Sequence, residues 1–508
     1  KELIRLWTNL PVVSAHELSG EINSLRRAST TLLNARLISL TKDLLEAVKT
    51  CLAEKAIHAP LMIVRGDGTL MSEDFARERP VETLLSGPAA SVIGGMKLSG
   101  LKDCLVLDIG GTTSDLAVVR GGMVNLAVEG VDVGGWRTGT QAIEIKTIGL
   151  GGDSLISFDK HEKITIGPRR AVPLSWLGMK WSQVREELEA IYREDKWHTL
   201  SLGEFFVLLS DPSRYPDLSA EEKKIVEVLS QSPRSIEKLA EAVHTRPYFL
   251  ETERLEFLGI IGRAALTPTD IMHITGEFRE WDVESAMLGA RILAQRLGLT
   301  VGTLIETVKA NIEKKLFVLI AQHLLKKQWK KAFKEGSKEL QTILDMAFEK
   351  PFDELGVHIT TSLPIVGIGA PTHVFLAGVA EALKTKAVIP KDAGVANAVG
   401  AITGSIVGEE TVLIKPHYEV TGISGYGCHS SKSYYETREY EDALAWSKEE
   451  AQKGAREQAK AMGADEVEVS LDILEKSGVV RDVKQGLLLE TVIKARAVGQ
   501  AQRIAARV

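Results

Sequence analysis

Leu105-Val106-Leu107-Asp108-Ile109-Gly110-Gly111-Thr112-Thr113-Ser114-Asp115-Leu116-Ala117-Val118-Val119 reads as a strand, a tight glycine turn and a second strand. The run before the turn is apolar and β-branched, the composition of a strand packed on both faces. Gly110 and Gly111 let the backbone turn sharply and approach a ligand. The hydroxyls of Thr112, Thr113 and Ser114, together with backbone N–H groups, make a cradle for a phosphate. Asp108 and Asp115 bracket the turn. Carboxylates beside a phosphate repel it unless a cation lies between them, so Mg²⁺ held through water is the expected ion. A glycine hairpin without any ligand gives the same short pattern.

Two further glycine turns follow apolar runs. Ile143-Glu144-Ile145-Lys146-Thr147-Ile148 reads as a strand that ends in Gly149-Leu150-Gly151-Gly152-Asp153-Ser154. Ile365-Val366-Gly367-Ile368-Gly369-Ala370-Pro371 repeats the pattern, with Val374-Phe375-Leu376 read as a strand after it. Backbone approach to one ligand from several loops explains the recurrence. Two helices of small residues are also expected, from Ser86 to Gly95 and from Gly394 to Gly404. Ser86 suits an N-cap and Pro88 the first turn. Such a helix start either faces an anion or is an ordinary capped end. Two small-residue helices that pass closely suggest a hinge-like crossing between domains.

The chain has 508 residues, 44% hydrophobic and 26% charged, with a net charge of −6. That is a globular composition with room for two to four domains. No global positive field draws it to nucleic acid or an anionic membrane. Cys51, Cys104 and Cys428 are few, odd in number and far apart, which indicates neither a disulfide framework nor a thiolate zinc site and suits a reducing cytoplasm. No signal peptide or bilayer-length apolar span is visible. The chain opens at Lys1 within an expected helix, the pattern of a fragment of a longer protein.

Elsewhere the sequence divides by texture. Helices are expected over Glu21–Ala35 and Leu40–Ala56, with His16 and Glu17 as a surface pair at a helix start. Pro60 to Arg65 reads as a strand and Gly66-Asp67-Gly68 as a turn. From 181 to 261 the glycine-rich strands give way to helices at Trp181–Tyr192, Ala220–Leu229, Ser235–Val243 and Tyr248–Leu258. Their order resembles a winged helix, but Glu251, Glu253 and Glu256 remove a DNA-binding footprint and leave an inserted packing module. Leu266-Thr267-Pro268-Thr269-Asp270 reads as a turn, and long helices are expected from Val283 to Phe348. Lys326, Lys327, Lys330, Lys331, Lys334 and Lys338 recur at helical spacing as a solvated face. The tail has strands near Thr411–Ile414 and His417–Thr421, a helix over Glu441–Met462, and strands over Glu466–Ile473 and Leu487–Ala497. Gly425, Gly427, Cys428 and His429 read as a loop, with too few ligands for a metal.

Taken in order, these motifs resemble the hydantoinase A / oxoprolinase family of the actin-like ATPase superfamily. Pro80 to Ala90 resembles the family's "PV-T-L-SGPAA" segment, and Asp108 to Asp115 its second phosphate motif. Thr147 to Ser154 is similar to "TIGAGGGS", and Leu266 to Asp270 to "LTPTD". Gly367 to Pro371 sits where the adenosine motif belongs, and Ala393 to Gly404 resembles the second connecting helix. Six ordered motifs over roughly residues 10–180 and 262–404 are far more specific than one.

The resemblance implies an α/β, ribonuclease-H-like fold of the actin and sugar-kinase type, with ATP and Mg²⁺ bound between two domains. It implies residues 1–85 as the remainder of a first domain that lacks its N-terminal phosphate motif. Residues 86–180 and 262–404 would form the second, nucleotide-binding domain, 181–261 a helical insert, and 405–508 a small C-terminal α+β domain. Asp108 would hold the metal's water shell, and Asp115 would position the metal or a nucleophile. Gly110, Gly111, Thr112 and Thr113 would take phosphate oxygens, and Gly149, Gly151, Gly152 and Ser154 would also belong to the cofactor site. Gly367, Gly369 and Ala370, with Asn397, would serve the nucleotide, and Ser86 and Gly87 the substrate. Family members often have Asp and His where this chain has Glu144 and Lys146, and a glycine where it has Asp153.

The implied activity is the ATP-dependent opening of a cyclic amide such as a hydantoin or 5-oxoproline, through a phosphorylated intermediate. A B-type partner subunit, homo- or hetero-oligomeric assembly and a cytoplasmic setting go with it. Some relatives are instead subunits of ATP-dependent ketone carboxylases. A non-catalytic actin-like assembly protein, with the insert taking a partner, is a third expectation.

Overall fold

The hairpin strands Cys104–Ile109 and Ser114–Arg120 lie side by side, with Ile109 opposite Ser114 and Cys104 opposite Val119. In this computed structural model the chain is described apart from residues 9, 19–22, 128–129, 196–197, 216, 329–336, 350–355, 420–421, 479–486 and 502–508. It divides into two units. One comprises residues 98–123 and 145–394, and the other 1–97, 124–144 and 395–508.

The hairpin is the middle of the first of these units. Ile365–Ile368 runs parallel to Leu105–Asp108, and Ala387–Val388 continues the sheet beyond it. On the other side Ile145–Ile148 pairs antiparallel with Ser114–Ala117. Leu105, Val106, Leu107, Leu116 and Ala117 have no exposed surface, as the uninterrupted apolar run requires of a sheet covered on both faces. The helices Val283–Arg296, Val301–Gln328, Lys338–Phe348 and Thr372–Ala382 build the core around it. The strand expected at Val374–Leu376 is part of the last of these helices. Phe375, Leu376, Val379 and Ala380 bury one helical face, and a short apolar run alone does not separate helix from strand. Of the basic run, Lys326, Lys327 and Lys338 are exposed, while Lys330, Lys331 and Lys334 lie outside the described residues.

The inserted region is mixed rather than helical. The helix Ser182–Glu194 gives Val184 and Leu188 to the main core. Beyond it, Phe205–Leu208 pairs with Ile261–Ala265, which in turn pairs with Val172–Pro173. Helices Ala220–Gln231, Ile236–Ala242 and Glu253–Phe257 close a separate cluster around Ile225, Leu229, Leu239 and Leu255. The helix expected over Tyr248–Leu258 is broken into a 3₁₀ turn at Pro247–Phe249 and a short helix from Glu253. Arg254 is bound to Glu222 at 2.5 Å, and Arg263 is held by Glu204 and Glu256.

In the other unit, Ser24–Glu54 is one helix of 31 residues, capped by the Asn23 side chain, where two were expected. No glycine or proline interrupts it between Ala35 and Leu40. Glu17 folds back to accept from the Ser14 N–H at 2.8 Å, a helix-start contact. The hairpin Met62–Val64 with Leu70–Ser72 meets the strand Ile406–Glu419 where Leu70 pairs with Ile406. That strand also pairs with Leu487–Ala501 and Gly422–His429. It merges the two strands expected near 411–421. The Gly425–His429 segment is therefore strand rather than loop, with Cys428 buried opposite Tyr435.

The helix Tyr440–Ala461 buries Ala443, Ser447, Ala451, Ala455 and Ala459, one residue every fourth position. Leu70, Met71, Ile406, Val412 and Ala455 share one cluster. Residues 405–508, expected as a domain apart, thus share sheet and core with the 62–72 hairpin. A two-stranded hairpin of that size is not stable alone, so it needs the longer strand.

Candidate functional site

Strand register puts four side chains in one row across the sheet. Ile368 is opposite Asp108, Asp108 opposite Asp115, and Asp115 opposite Thr147. Opposed residues on neighbouring strands share a face. Two carboxylates expected from the sequence are therefore direct cross-strand neighbours. Asp115 is buried, and accepts hydroxyl hydrogen bonds from Thr147 at 2.5 Å and Thr113 at 3.3 Å. Burial raises its pKa above the usual value and Asp108 adds to the rise, while the two hydroxyls hold it down. Thr147 sits inside the quoted "TIG" motif, but its role emerges only from the register.

At the turn, Gly110 N–H donates to the Thr113 carbonyl at 2.9 Å. Among the described residues the N–H groups of Gly111 and Thr112 donate to no backbone carbonyl. Gly111 is exposed, and Thr112 and Thr113 are half-buried. The open donors of the turn are thus those of Gly111 and Thr112, and Gly110 is engaged in closing it.

The second glycine turn buttresses the first. Gly152 and Asp153 donate to the Gly110 and Gly111 carbonyls at 3.0 and 2.7 Å. A Cβ on Gly151 would stand 2.5 Å from both carbonyl oxygens. Gly151 N–H is bound by the Ser154 hydroxyl, and Ser154 is buried. Gly149 packs on Pro168. The N–H groups of Gly151, Gly152 and Ser154 are committed within the protein, and the turn supports the hairpin. Thr269 anchors this turn, donating from N–H and hydroxyl to the Gly152 carbonyl at 2.9 and 2.8 Å.

The "LTPTD" segment is a helix start rather than a turn. Thr267 and Asp270 form a reciprocal capping box on Pro268–Thr275. Asp270 is fully buried and also accepts from Leu174 N–H, Ser175 N–H and the Ser175 hydroxyl.

Gly369 meets the hairpin from the third turn. Its φ is +88°, and a Cβ there would lie 2.3 Å from the Ile109 carbonyl and 2.8 Å from the Asp108 carboxylate. Only glycine satisfies both demands. Ala370 is exposed beside it. Gly367 instead packs on Thr372 and Leu376, inside the core.

Asn397, Ser86 and Gly87 belong to the other unit. The Asn397 amide donates to the Gly87 carbonyl at 2.9 Å and to the Ser91 hydroxyl at 3.2 Å. Around it the helices Ser86–Ser99 and Ala396–Thr403 pack backbone to backbone. A Cβ on Gly94 would stand 1.8 Å from the Ala396 carbonyl, and one on Gly400 1.8 Å from that of Ala90. The close crossing expected between domains lies within one unit. Gly87 has open space where a Cβ would be.

A strand–turn–strand hairpin with paired carboxylates, buttressed by a second glycine turn on a mixed sheet, gives the chain an α/β fold of the actin-like type. Residues 27–175 match the hydantoinase/oxoprolinase family model. It is 30% identical over 163 residues to the caprolactamase subunit alpha of Pseudomonas jessenii. It is 26% identical over 167 residues to the acetophenone carboxylase gamma subunit of Aromatoleum aromaticum. These matches span 32% of this chain, and 23% and 22% of the relatives.

Two solved structures share the fold over 98% of this chain at 15% identity. One is nucleotide-free acetone carboxylase, with a TM-score of 0.54 and 61% of its chain covered. The other is the ATP-dependent caprolactamase of P. jessenii, at 0.55 and 62%. The chain therefore spans less than two thirds of these relatives. Among the described residues no helix is long and apolar enough to cross a membrane.

Proposed function

We propose that the chain binds ATP with Mg²⁺ at the Asp108–Asp115 hairpin and serves the ATP-dependent opening of a cyclic amide. The observation that carries this reading is the cross-strand pair Asp108 and Asp115 beside a turn whose Gly111 and Thr112 N–H groups have no backbone acceptor among the described residues. Two like charges opposite one another destabilise a sheet unless a cation compensates. A pair of carboxylates suits Mg²⁺, which takes one or two of them and completes its shell with water and phosphate oxygens. When bound, it neutralises charge on the phosphates.

The chain's own residues then have defined tasks. Asp108 holds the metal's water shell. Gly111 and Thr112 donate to phosphate oxygens, with the Thr112 and Thr113 hydroxyls beside them. Asp115, fixed by Thr147, orients the metal shell or a nucleophile. Gly369 and Ala370 lie under the adenosine. Positioning and charge stabilisation account for most of phosphoryl transfer. The terminal phosphoryl group passes to the amide oxygen and ADP leaves. Water then adds to the ring carbon, the C–N bond breaks, and phosphate departs with the ring-opened acid. A B-type subunit, oligomeric assembly and a cytoplasmic setting complete the proposal, supported by the relatives being subunits alpha and gamma.

A hydantoin, 5-oxoproline or a lactam is the substrate class. The second reading, an ATP-dependent ketone carboxylase subunit, is favoured by the acetophenone carboxylase match. Phosphate release separates the two. Stimulation by a cyclic amide supports the first, and stimulation by a ketone that requires bicarbonate supports the second. Absence of ATP binding by calorimetry with Mg²⁺ removes both.

A further inference from the structure

Asp153 puts a third carboxylate at the hairpin. Its Oδ2 lies 2.9 Å from where a Cβ on Gly111 would be, so the acid group sits against the turn that presents the open N–H donors. Burial raises its pKa, and Arg170 opposes that rise. A bare carboxylate there would repel an incoming phosphate.

Arg170 answers that charge. Its Nη2 approaches Asp153 Oδ2 at 3.3 Å, a single contact from a guanidinium able to make two parallel bonds. The Arg170 side chain is 60% exposed and that of Asp153 30%, so the pair is of the weak kind that exchanges partners readily. The backbone is held: Arg170 pairs with Ser154 across two strands, and Ala171 N–H donates to the Asp153 carbonyl at 2.8 Å. The neighbouring Arg169 is engaged elsewhere, on Glu256 at 2.9 Å. A fixed backbone with a loosely held guanidinium beside a phosphate cradle is an arrangement suited to capture.

We propose that Arg170 is a phosphate-binding residue for the polyphosphate of a nucleotide, parked on Asp153 when the site is empty. On binding, the guanidinium leaves the Asp153 carboxylate and takes phosphate oxygens. Arg170 thereby selects di- and triphosphates over monophosphates. The inference rests on nucleotide binding at the hairpin.

Calorimetry with Mg²⁺ and ATP, ADP or AMP tests it, on the wild type, Arg170→Ala, Arg170→Lys, Asp153→Asn and Arg169→Ala. Arg170→Ala is expected to weaken ATP binding by about tenfold or more, the loss of charge-assisted hydrogen bonds, and to leave AMP unchanged. Arg170→Lys recovers part of the loss, and Asp153→Asn tightens ATP binding by removing the competing carboxylate. Equal ATP affinity in Arg170→Ala and the wild type overturns the role of Arg170 while nucleotide binding stands. Equal losses in Arg169→Ala and Arg170→Ala also overturn it, because net charge alone then explains them. A wild type that binds no nucleotide removes the underlying reading and this inference together.

Discussion

Asp108 and Asp115 face each other on adjacent antiparallel strands, and Thr147 holds Asp115 from the third strand of the same row. The sheet carries this like-charge pair as direct cross-strand partners. The relationship defines separable tasks for the two acids.

Asp108→Asn keeps shape and removes one charge. ATP turnover is expected to fall by about a hundredfold or more, the scale of losing a key electrostatic contact. The thermal midpoint should stay close to that of the wild type. Phosphate release and a thermal melt on one preparation check this, and retained turnover would remove Asp108 from the assignment.

Asp115→Asn gives a pH signature. The folded pKa of Asp115 lies above its ordinary 3.8, so folding favours the protonated acid. Its stabilising contribution is present below the unfolded pKa and is lost as pH rises through the folded one. The variant is therefore expected to melt above the wild type at pH 7, with the gap closing towards about pH 4 as Asp115 protonates. Melting curves across that range decide it; a gap that ignores pH contradicts the burial argument.

Gly151→Ala drives a methyl group into two backbone carbonyls. Overpacking of this kind costs about 1–3 kcal/mol. Because the obstacle is the hairpin itself, ATP affinity should fall with stability. Gly87→Ala, where a Cβ meets nothing within 4 Å, should change stability by no more than about 0.5 kcal/mol. Denaturant titrations of both variants make the comparison.

Gly94→Ala and Gly400→Ala each wedge apart the same pair of helices. Each should destabilise by about 1–3 kcal/mol. The double variant should cost less than the two together, since one separation relieves both clashes. Strict additivity in a double-mutant cycle would show that the two contacts yield independently.

The hairpin, the second glycine turn, the helix after Ser235 and the helix Tyr440–Ala461 were legible because short-range rules govern them: apolar runs, glycine turns and helical spacing. What escaped depends on distant partners. The Phe205–Leu208 strand is four residues in a helical stretch, and is fixed only by pairing with Ile261–Ala265. Gly425–His429 looks like a loop until Ile406–Glu419 lies against it. The glycines at 149–152 advertise close approach, but not to what. For Gly151 the structure shows that neighbour to be the hairpin backbone. Thr147 was visible inside a motif and Arg170 lay outside every one, and neither stood out, since cross-strand register and a side chain's reach are not written locally.

The pairing of Leu70 with Ile406 also sets a schedule for synthesis. Ribosomes add roughly 5–20 residues per second, so the Met62–Ser72 hairpin emerges tens of seconds before its partner strand exists. Throughout that interval its Leu70–Ser72 edge is an unsatisfied template for any passing strand. The whole of residues 98–123 and 145–394 is made in the meantime. Until residue 406 has been made, only the hairpin's own turn and charge pattern keep that edge from pairing elsewhere.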